Sequence, residues 1–226
     1  MGNFAAIFVE VIQGEGGYLI PKKEWLLGLR ELCTKHKILL VADEVQSGMG
    51  RTGSLFAYQQ TGVTPDVMGV AKGLGGGFPV GAVLATADAG KGMTAGTHGS
   101  TFGGNPLAMS VGGAVLDVLL EPGFLDRVKQ VSLLFKQRLA EIKDRHPAVV
   151  AEIRGEGLLL GMRLNVPNGD MVDALRAEKM LAVAAGDNVV RLLPPLTISD
   201  KEVGEAISRI DTAATALEKG AKGAAS

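Results

Sequence analysis

The run Ile38-Leu39-Leu40-Val41-Ala42 is apolar at every position. A strand that meets water on one side alternates polar with apolar residues, so a run without alternation belongs in a parallel sheet covered on both faces. Neighbouring segments supply the rest of such a sheet. Phe4 to Ile12 is a β-rich apolar run that stops at Gln13-Gly14-Glu15-Gly16-Gly17, a loop. From Lys22 to Lys37, behind Pro21, the residues Trp25, Leu26, Leu29, Leu32 and Cys33 recur at 3.6-residue spacing and predict an amphipathic helix. Val67 to Ala71 and Val80 to Ala85 are further short strands. This alternation predicts an open, mostly parallel sheet with flanking helices. Ligands bind such sheets beyond the carboxyl ends of the strands. Chemistry is therefore expected at Gln13–Gly17, Asp43–Gly53 and Lys72–Gly77, which hold ten of the chain's 32 glycines.

The second half reads differently. Helices are predicted from Asn105 to Leu120 and from Gly123 to Arg145, the latter stopped by Pro147. Strands follow near Val149–Arg154 and Leu158–Leu164, then a helix near Asp170–Lys179 and strands near Leu181–Ala184 and Val189–Leu193. A last helix starts at Ser199, which forms a capping-box pattern with Glu202. The chain thus divides into residues 1–120, part of a large sheet domain, and residues 121–217, a small α+β domain. The small, polar stretch 218–226 reads as a frayed tail.

Composition narrows the function classes. Lys plus Arg number 23 against 24 Asp plus Glu, a net charge of −1, which gives no electrostatic case for nucleic acid or an anionic membrane. No apolar run approaches the length of a membrane span. The start offers no targeting signal, because Ala6 stands where myristoylation needs Ser or Thr. The single Cys33 forms no internal disulfide, and His36, His98 and His146 are too scattered for a zinc motif, so no metal site is expected. A soluble protein of a reducing compartment, the cytoplasm, is the expectation.

Several motifs fail on inspection. Gly73-Leu-Gly75-Gly-Gly77-Phe78 lacks the third glycine of the dinucleotide fingerprint, and Gly90-Lys91 is followed by Gly92 rather than Ser or Thr. His98, two residues before Ser100, excludes a nucleophile elbow. Asp43 and Glu44, directly after the buried run, read either as a charged strand end meeting solvent or as a carboxylate poised to pair with a cationic ring nitrogen. Lys72, after Val67–Ala71, reads either as a loop lysine or as a desolvated amine able to attack a carbonyl. An acid and a lysine, both at parallel-strand ends, raise the odds of pyridoxal-phosphate chemistry.

Five segments carry a resemblance: Glu10-Val-Ile-Gln-Gly-Glu-Gly-Gly17, Asp43-Glu-Val-Gln-Ser-Gly-Met-Gly-Arg-Thr-Gly53, Ala71-Lys-Gly-Leu-Gly-Gly-Gly77, His98-Gly-Ser-Thr-Phe-Gly-Gly-Asn-Pro106 and Asn188-Val-Val-Arg-Leu-Leu-Pro-Pro-Leu196. In this order they resemble class III aminotransferases, which are fold-type I pyridoxal-phosphate enzymes, and most of all the members that act on N-acetylornithine. The resemblance implies transfer of a terminal amino group from such a donor to 2-oxoglutarate, as in arginine biosynthesis. Ornithine or 4-aminobutyrate are the alternative donors. It also implies roles. Lys72 would carry pyridoxal 5'-phosphate and shuttle the proton. Asp43 would pair with the pyridine nitrogen, and Gln46 would bond the phenolic oxygen. Ser100 and Thr101 would reach the phosphate held by the neighbouring subunit of a homodimer. Arg191 would clamp a substrate carboxylate, and Glu15 would mask that arginine. For Glu15 and Arg191 the plainer reading is an ordinary ion pair.

The resemblance also shows two departures. Val11 stands where the family has proline. Family members are longer, so this chain is expected to begin within the large domain, without the early strands, the main phosphate loop and the aromatic that stacks on the cofactor. An open sheet of this kind is expected to expose edges and apolar surface and, in isolation, to bind the cofactor weakly or not at all. The alternative from another class is an inactive fragment that serves only for binding or dimerisation.

Overall fold

The computed structural model describes residues 4–223. The chain forms two compact units, one of Met1–Ile12 with Pro21–Leu125 and one of Gln13–Ile20 with Asp126–Ser226. Of the segments read from sequence, residues 1–3 and 224–226 lie outside the described part.

In the first unit, strand β1 (Ala6–Glu10) leads through helix α1 (Lys23–His36) to β2 (Leu39–Asp43), β3 (Val67–Val70) and β4 (Ala82–Ala85). The sheet order is β1-β2-β3-β4. β1 and β2 run parallel in register from Ala6↔Leu39 to Glu10↔Asp43, and β2 and β3 run parallel with Asp43 opposite Gly69. β4 departs from the expected crossover pattern, because it pairs antiparallel with β3 and begins at Ala82 rather than Val80. Antiparallel neighbours need no long crossover helix, and the β3–β4 connection holds only a short 3-10 turn, Lys72–Gly75.

α1 ends at Lys37, whose left-handed φ of 54° lets its N–H reach the Cys33 and Thr34 carbonyls. Leu26 and Cys33 are buried, but Trp25 and Leu32, counted into the same stripe by their spacing, are about half exposed. Arg30 pins the helix to the loop before β3. Its Nη1 lies 2.7 Å from Asp66 Oδ2, and the same oxygen accepts the Leu40 N–H at 2.7 Å. The sheet is covered unevenly. Leu40, Ala42 and Met68 are buried, whereas Phe8 on β1 is 78% exposed. Helix α2 (Pro106–Leu119) begins with Asn105 Oδ1 accepting the Ala108 N–H at 2.9 Å and Pro106 in its first turn.

The second unit is built on α3 (Phe124–Arg145), β5 (Val150–Glu156), β6 (Leu159–Leu164), α4 (Asn168–Ala177), β7 (Val183–Ala185), β8 (Val189–Leu192) and α5 (Asp200–Gly223). Its sheet has the order β5-β6-β8-β7 and every pairing is antiparallel. Val128, Val131, Phe135, Leu139 and Ile142 of α3 are buried, and so are Leu159, Leu160 and Met162 of β6. The capping box forms as expected, with Ser199 Oγ accepting the Glu202 N–H at 3.2 Å and Glu202 Oε2 accepting the Ser199 N–H at 2.8 Å. Residues 218–223, read from composition as a frayed tail, instead continue α5. No single helix among the described residues is long and apolar enough to cross a membrane.

Segment Gln13–Ile20 belongs to the second unit although both flanks belong to the first. Its ends close on each other, Gln13 N–H to Leu19 O at 3.0 Å and Leu19 N–H to Gln13 O at 3.2 Å. The buried Tyr18 ring lies over Gly161 of β6, where a Cβ would come within 2.6 Å of Tyr18 Cδ2. Nothing larger than glycine fits there.

Candidate active site

The parallel strands of the first unit end on an acid and a lysine. Asp43 is the last residue of β2 and sits opposite Gly69. The Glu44 N–H donates to the Gly69 carbonyl at 2.9 Å, and Lys72 follows β3 by two residues. Adjacent strands lie about 4.8 Å apart, so Asp43 ends β2 and Lys72 begins the turn past β3 at the carboxyl ends of two neighbouring parallel strands. The Asp43 carboxylate is exposed, with Oδ1 accepting the Val45 N–H at 2.9 Å. Lys72 is also exposed, which corrects the expectation of an amine desolvated at the strand end. Its backbone is in the left-handed region, φ 45°, a conformation costing a side-chain-bearing residue about 1–2 kcal/mol. Such strain collects at functional sites.

Glu44 behaves oppositely to Asp43. It is completely buried, and its Oε2 accepts the Ser47 hydroxyl at 2.6 Å and the Ala57 N–H at 3.1 Å, while Oε1 accepts the Tyr58 N–H at 2.7 Å. Burial pushes its carboxyl above the usual carboxylate range, against the pull of those hydrogen bonds and with a small push from Asp43. The expectation of both acids as a solvent-meeting pair fails for Glu44; a Ser three residues on was the signal available. Gln46, in the same turn, has its Oε1 buried without a hydrogen-bond partner among the described residues.

Ser100 and Thr101 lie in an exposed loop, next to a Phe102 that is 80% exposed. Ser100 Oγ accepts the Gly103 N–H at 2.9 Å, so the hydroxyl is turned onto its own loop. Among the described residues, no group of three or more His, Cys, Asp or Glu side chains is placed to hold a metal ion.

The second unit joins Glu15 to Arg191. Arg191 lies on β8, its Nη1 bonds Glu15 Oε1, and its Nε is buried without a partner among the described residues. The pair is unequal: the Arg191 side chain is 13% exposed and that of Glu15 72%. Glu15 is placed by backbone, because its carbonyl accepts the Gly186 N–H at 2.9 Å in the β7–β8 turn. Arg154 of β5, which the sequence reading passed over, reaches the same segment. Its Nη1 lies 3.2 Å from the Gly17 carbonyl and 2.7 Å from Asp187 Oδ2, and its Nε lies 2.8 Å from Glu152 Oε2. The Arg154 hydrogen bond holds the Asp187 carboxyl below the usual range, with Arg163 adding to it.

The chain belongs to the class-III aminotransferase family, whose model matches residues 1–214, and its fold is part of a fold-type I aminotransferase. It is 61% identical to acetylornithine aminotransferase of Agrobacterium fabrum over 213 residues, which are 94% of this chain and 53% of that protein. The N-acetylornithine aminotransferase structure from Stenotrophomonas maltophilia superposes with a TM-score of 0.87 at 39% identity, covering 96% of this chain and 57% of that one. Ornithine aminotransferase from Toxoplasma gondii, in a structure described as showing partial occupancy of PLP at the active site, gives a TM-score of 0.89 at 38% identity, over 96% and 52% of the two chains. The chain spans about half the length of the curated relatives it matches.

Proposed function

We propose that this chain supplies the lysine side of an aminotransferase active site, for transfer of a terminal amino group from an N-acetylornithine-like donor to 2-oxoglutarate. The observation that carries the reading is the placement of Asp43 at the carboxyl end of β2 and of Lys72 in the turn just past the carboxyl end of the neighbouring parallel strand β3. The residues present fit pyridoxal 5'-phosphate: an exposed carboxylate and a lysine in a strained turn. When bound, that cofactor supplies a cationic ring that accepts the electron pair released at the substrate carbon.

The chain's own residues do the rest. The Asp43 carboxylate holds a proton on the ring nitrogen, because a negative charge beside a pyridine favours its cationic form. Gln46 hydrogen-bonds the phenolic oxygen. Lys72 Nζ would hold the cofactor, and the same amine is the base that would take the proton from the carbon bearing the terminal amino group. The Ser100 hydroxyl and the Thr101 N–H serve the phosphate of a second copy in a homodimer, a role supported by the exposure of their loop. Arg191 binds a 2-oxoglutarate carboxylate through its fork of donors once Glu15 leaves its Nη1. Glu15 covers the guanidinium when the donor occupies the site. A cytoplasmic setting agrees with the single, buried, unpaired Cys33. Ornithine is the second donor to weigh, since ornithine aminotransferases share this fold at 35–38% identity.

The test is borohydride trapping followed by peptide mapping, with half-reactions run on N-acetylornithine, ornithine and 4-aminobutyrate. Cofactor mass on the Lys72 peptide, lost in Lys72→Ala, and turnover fastest with N-acetylornithine are expected. Trapping at another lysine, or trapping unaffected by Lys72→Ala, defeats the reading.

A further inference from the structure

We propose that Arg154 is a positioning residue: by tying the Gly17 carbonyl to Asp187 it keeps Glu15 on Arg191, and so governs how readily Arg191 opens to a substrate carboxylate. This rests on the reading of Arg191 and Glu15 given above.

The argument starts from how little holds Glu15 otherwise. A single ion pair with one largely exposed partner is worth little, and Glu15 sits among Gly14, Gly16 and Gly17, residues that lose more freedom on ordering than any other type. Arg191 is fixed by strand β8, which pairs with both β6 and β7. Glu15 is therefore the partner that can leave, and its effective concentration at Arg191 depends on how firmly its backbone is held. Three observations show that backbone held on both sides of the side chain. The Glu15 carbonyl accepts the Gly186 N–H, the Gly17 carbonyl accepts from Arg154, and the same Arg154 nitrogen bonds Asp187 beside Gly186. Gly17 allows the approach: its φ is +106°, and a Cβ there would lie 2.7 Å from the Gly186 carbonyl oxygen.

The guanidinium is itself well aligned. Glu152 Oε2 takes its Nε, and Arg163 Nε lies 3.4 Å from the far side of the same Asp187 oxygen. Burial works against the Arg154 charge, but pairing with Asp187 and Glu152 more than offsets it. One side chain thus connects strand β5, the Glu15 segment and the β7–β8 turn. Removing it leaves the β6–β8 pairing of the Arg191 strand in place and loosens the acid that covers Arg191 together with the β7–β8 turn.

The test reads Arg191 directly, by its rate of modification with phenylglyoxal followed by peptide mass, on the chain without cofactor. Glu15→Gln sets the rate of an uncovered Arg191. Arg154→Met is expected to speed modification by about fivefold toward that rate, with Arg154→Lys in between, and hydrogen exchange at the Leu19 and Gly186 amides is expected to quicken in parallel. Asp187→Asn, which keeps Arg154 and removes its charged partner, gives a smaller change in the same direction and decides the matter if Arg154→Met does not fold. Unchanged Arg191 modification in a folded Arg154→Met or Asp187→Asn variant overturns the proposal, as does a Glu15→Gln rate equal to that of the unaltered chain. In the cofactor-loaded enzyme, Arg154→Met raises KM for the amino donor and leaves KM for 2-oxoglutarate unchanged or lower. An equal fall of kcat in both half-reactions marks a merely structural role and also overturns it. Failure of the underlying reading looks different: Arg191→Gln then leaves KM for 2-oxoglutarate unaltered while the modification results stand.

Discussion

Ser47 Oγ donates a 2.6 Å hydrogen bond to Glu44 Oε2 inside the first unit, one residue after an Asp43 that faces solvent. Consecutive residues at a strand end point to opposite sides, so the two acids divide their roles. Asp43 is available to a ligand, and Glu44 gathers the turn that follows β2 by accepting from Ala57 and Tyr58 as well.

Glu44→Gln places an amide –NH2 against a backbone N–H donor and is expected to destabilise the fold by about 1–3 kcal/mol. The pH dependence has a defined sign. Burial raises the Glu44 carboxyl from its ordinary 4.5, so the folded state keeps the proton longer than the unfolded one. That contribution is fully present below 4.5 and is lost as pH rises through the raised folded value. Denaturant titrations across the acid range are expected to show the stability gap between the two proteins shrinking as pH increases.

Ser199→Ala removes the hydroxyl that accepts the Glu202 N–H and is expected to lower stability by about 1 kcal/mol, read by urea unfolding. The Glu202 carboxyl is held below its ordinary 4.5, first by the Ser199 N–H. Its contribution is present above 4.5 and is lost as pH falls through the lowered value. In Glu202→Gln that part of the acid-side loss is expected to disappear.

Gly161→Ala drives a methyl to within 2.6 Å of the Tyr18 ring and 2.7 Å of Val189 Cγ1. Overpacking of this kind costs about 1–3 kcal/mol. The expected result is a lower midpoint in chemical unfolding together with faster hydrogen exchange in residues 13–20, since Tyr18 is the side chain displaced.

Lys72→Gly relieves a left-handed backbone and is expected to stabilise the chain by about 0.5–1.5 kcal/mol in thermal or urea unfolding. Lys72→Ala, which keeps the strain, is expected to be neutral. Neither variant retains a cofactor that borohydride can trap. Lys72→Gly as stable as Lys72→Ala, or less so, argues against strain at this position.

Most strands and the carboxyl ends of β2 and β3 were readable because their causes are local. An unbroken apolar run marks β2, Pro147 limits α3, and Ser199 with Glu202 sets the start of α5. The strand ends then put Asp43 at the end of β2 and Lys72 just past β3 without further information. What escaped depends on residues distant in sequence. Trp25 and Leu32 keep helical spacing but find no cover, β4 turns back antiparallel, and the burial of Glu44 is decided by amides thirteen and fourteen positions along. Arg154 left no trace in composition or periodicity, because two of its partners, Gly17 and Asp187, lie 137 and 33 positions away.

The excursion of Gln13–Ile20 into the second unit has a consequence for biosynthesis. Tyr18 leaves the ribosome long before Gly161, the residue it must cover. At roughly 5–20 residues per second the aromatic waits on the order of ten seconds for its seat. During that interval β1 can already pair with β2, while the stretch carrying Glu15 has nowhere to dock. Vectorial synthesis therefore completes the strands that lead to Lys72 before it completes the Glu15–Arg191 pair, and a chain stalled short of β6 would own the first without the second.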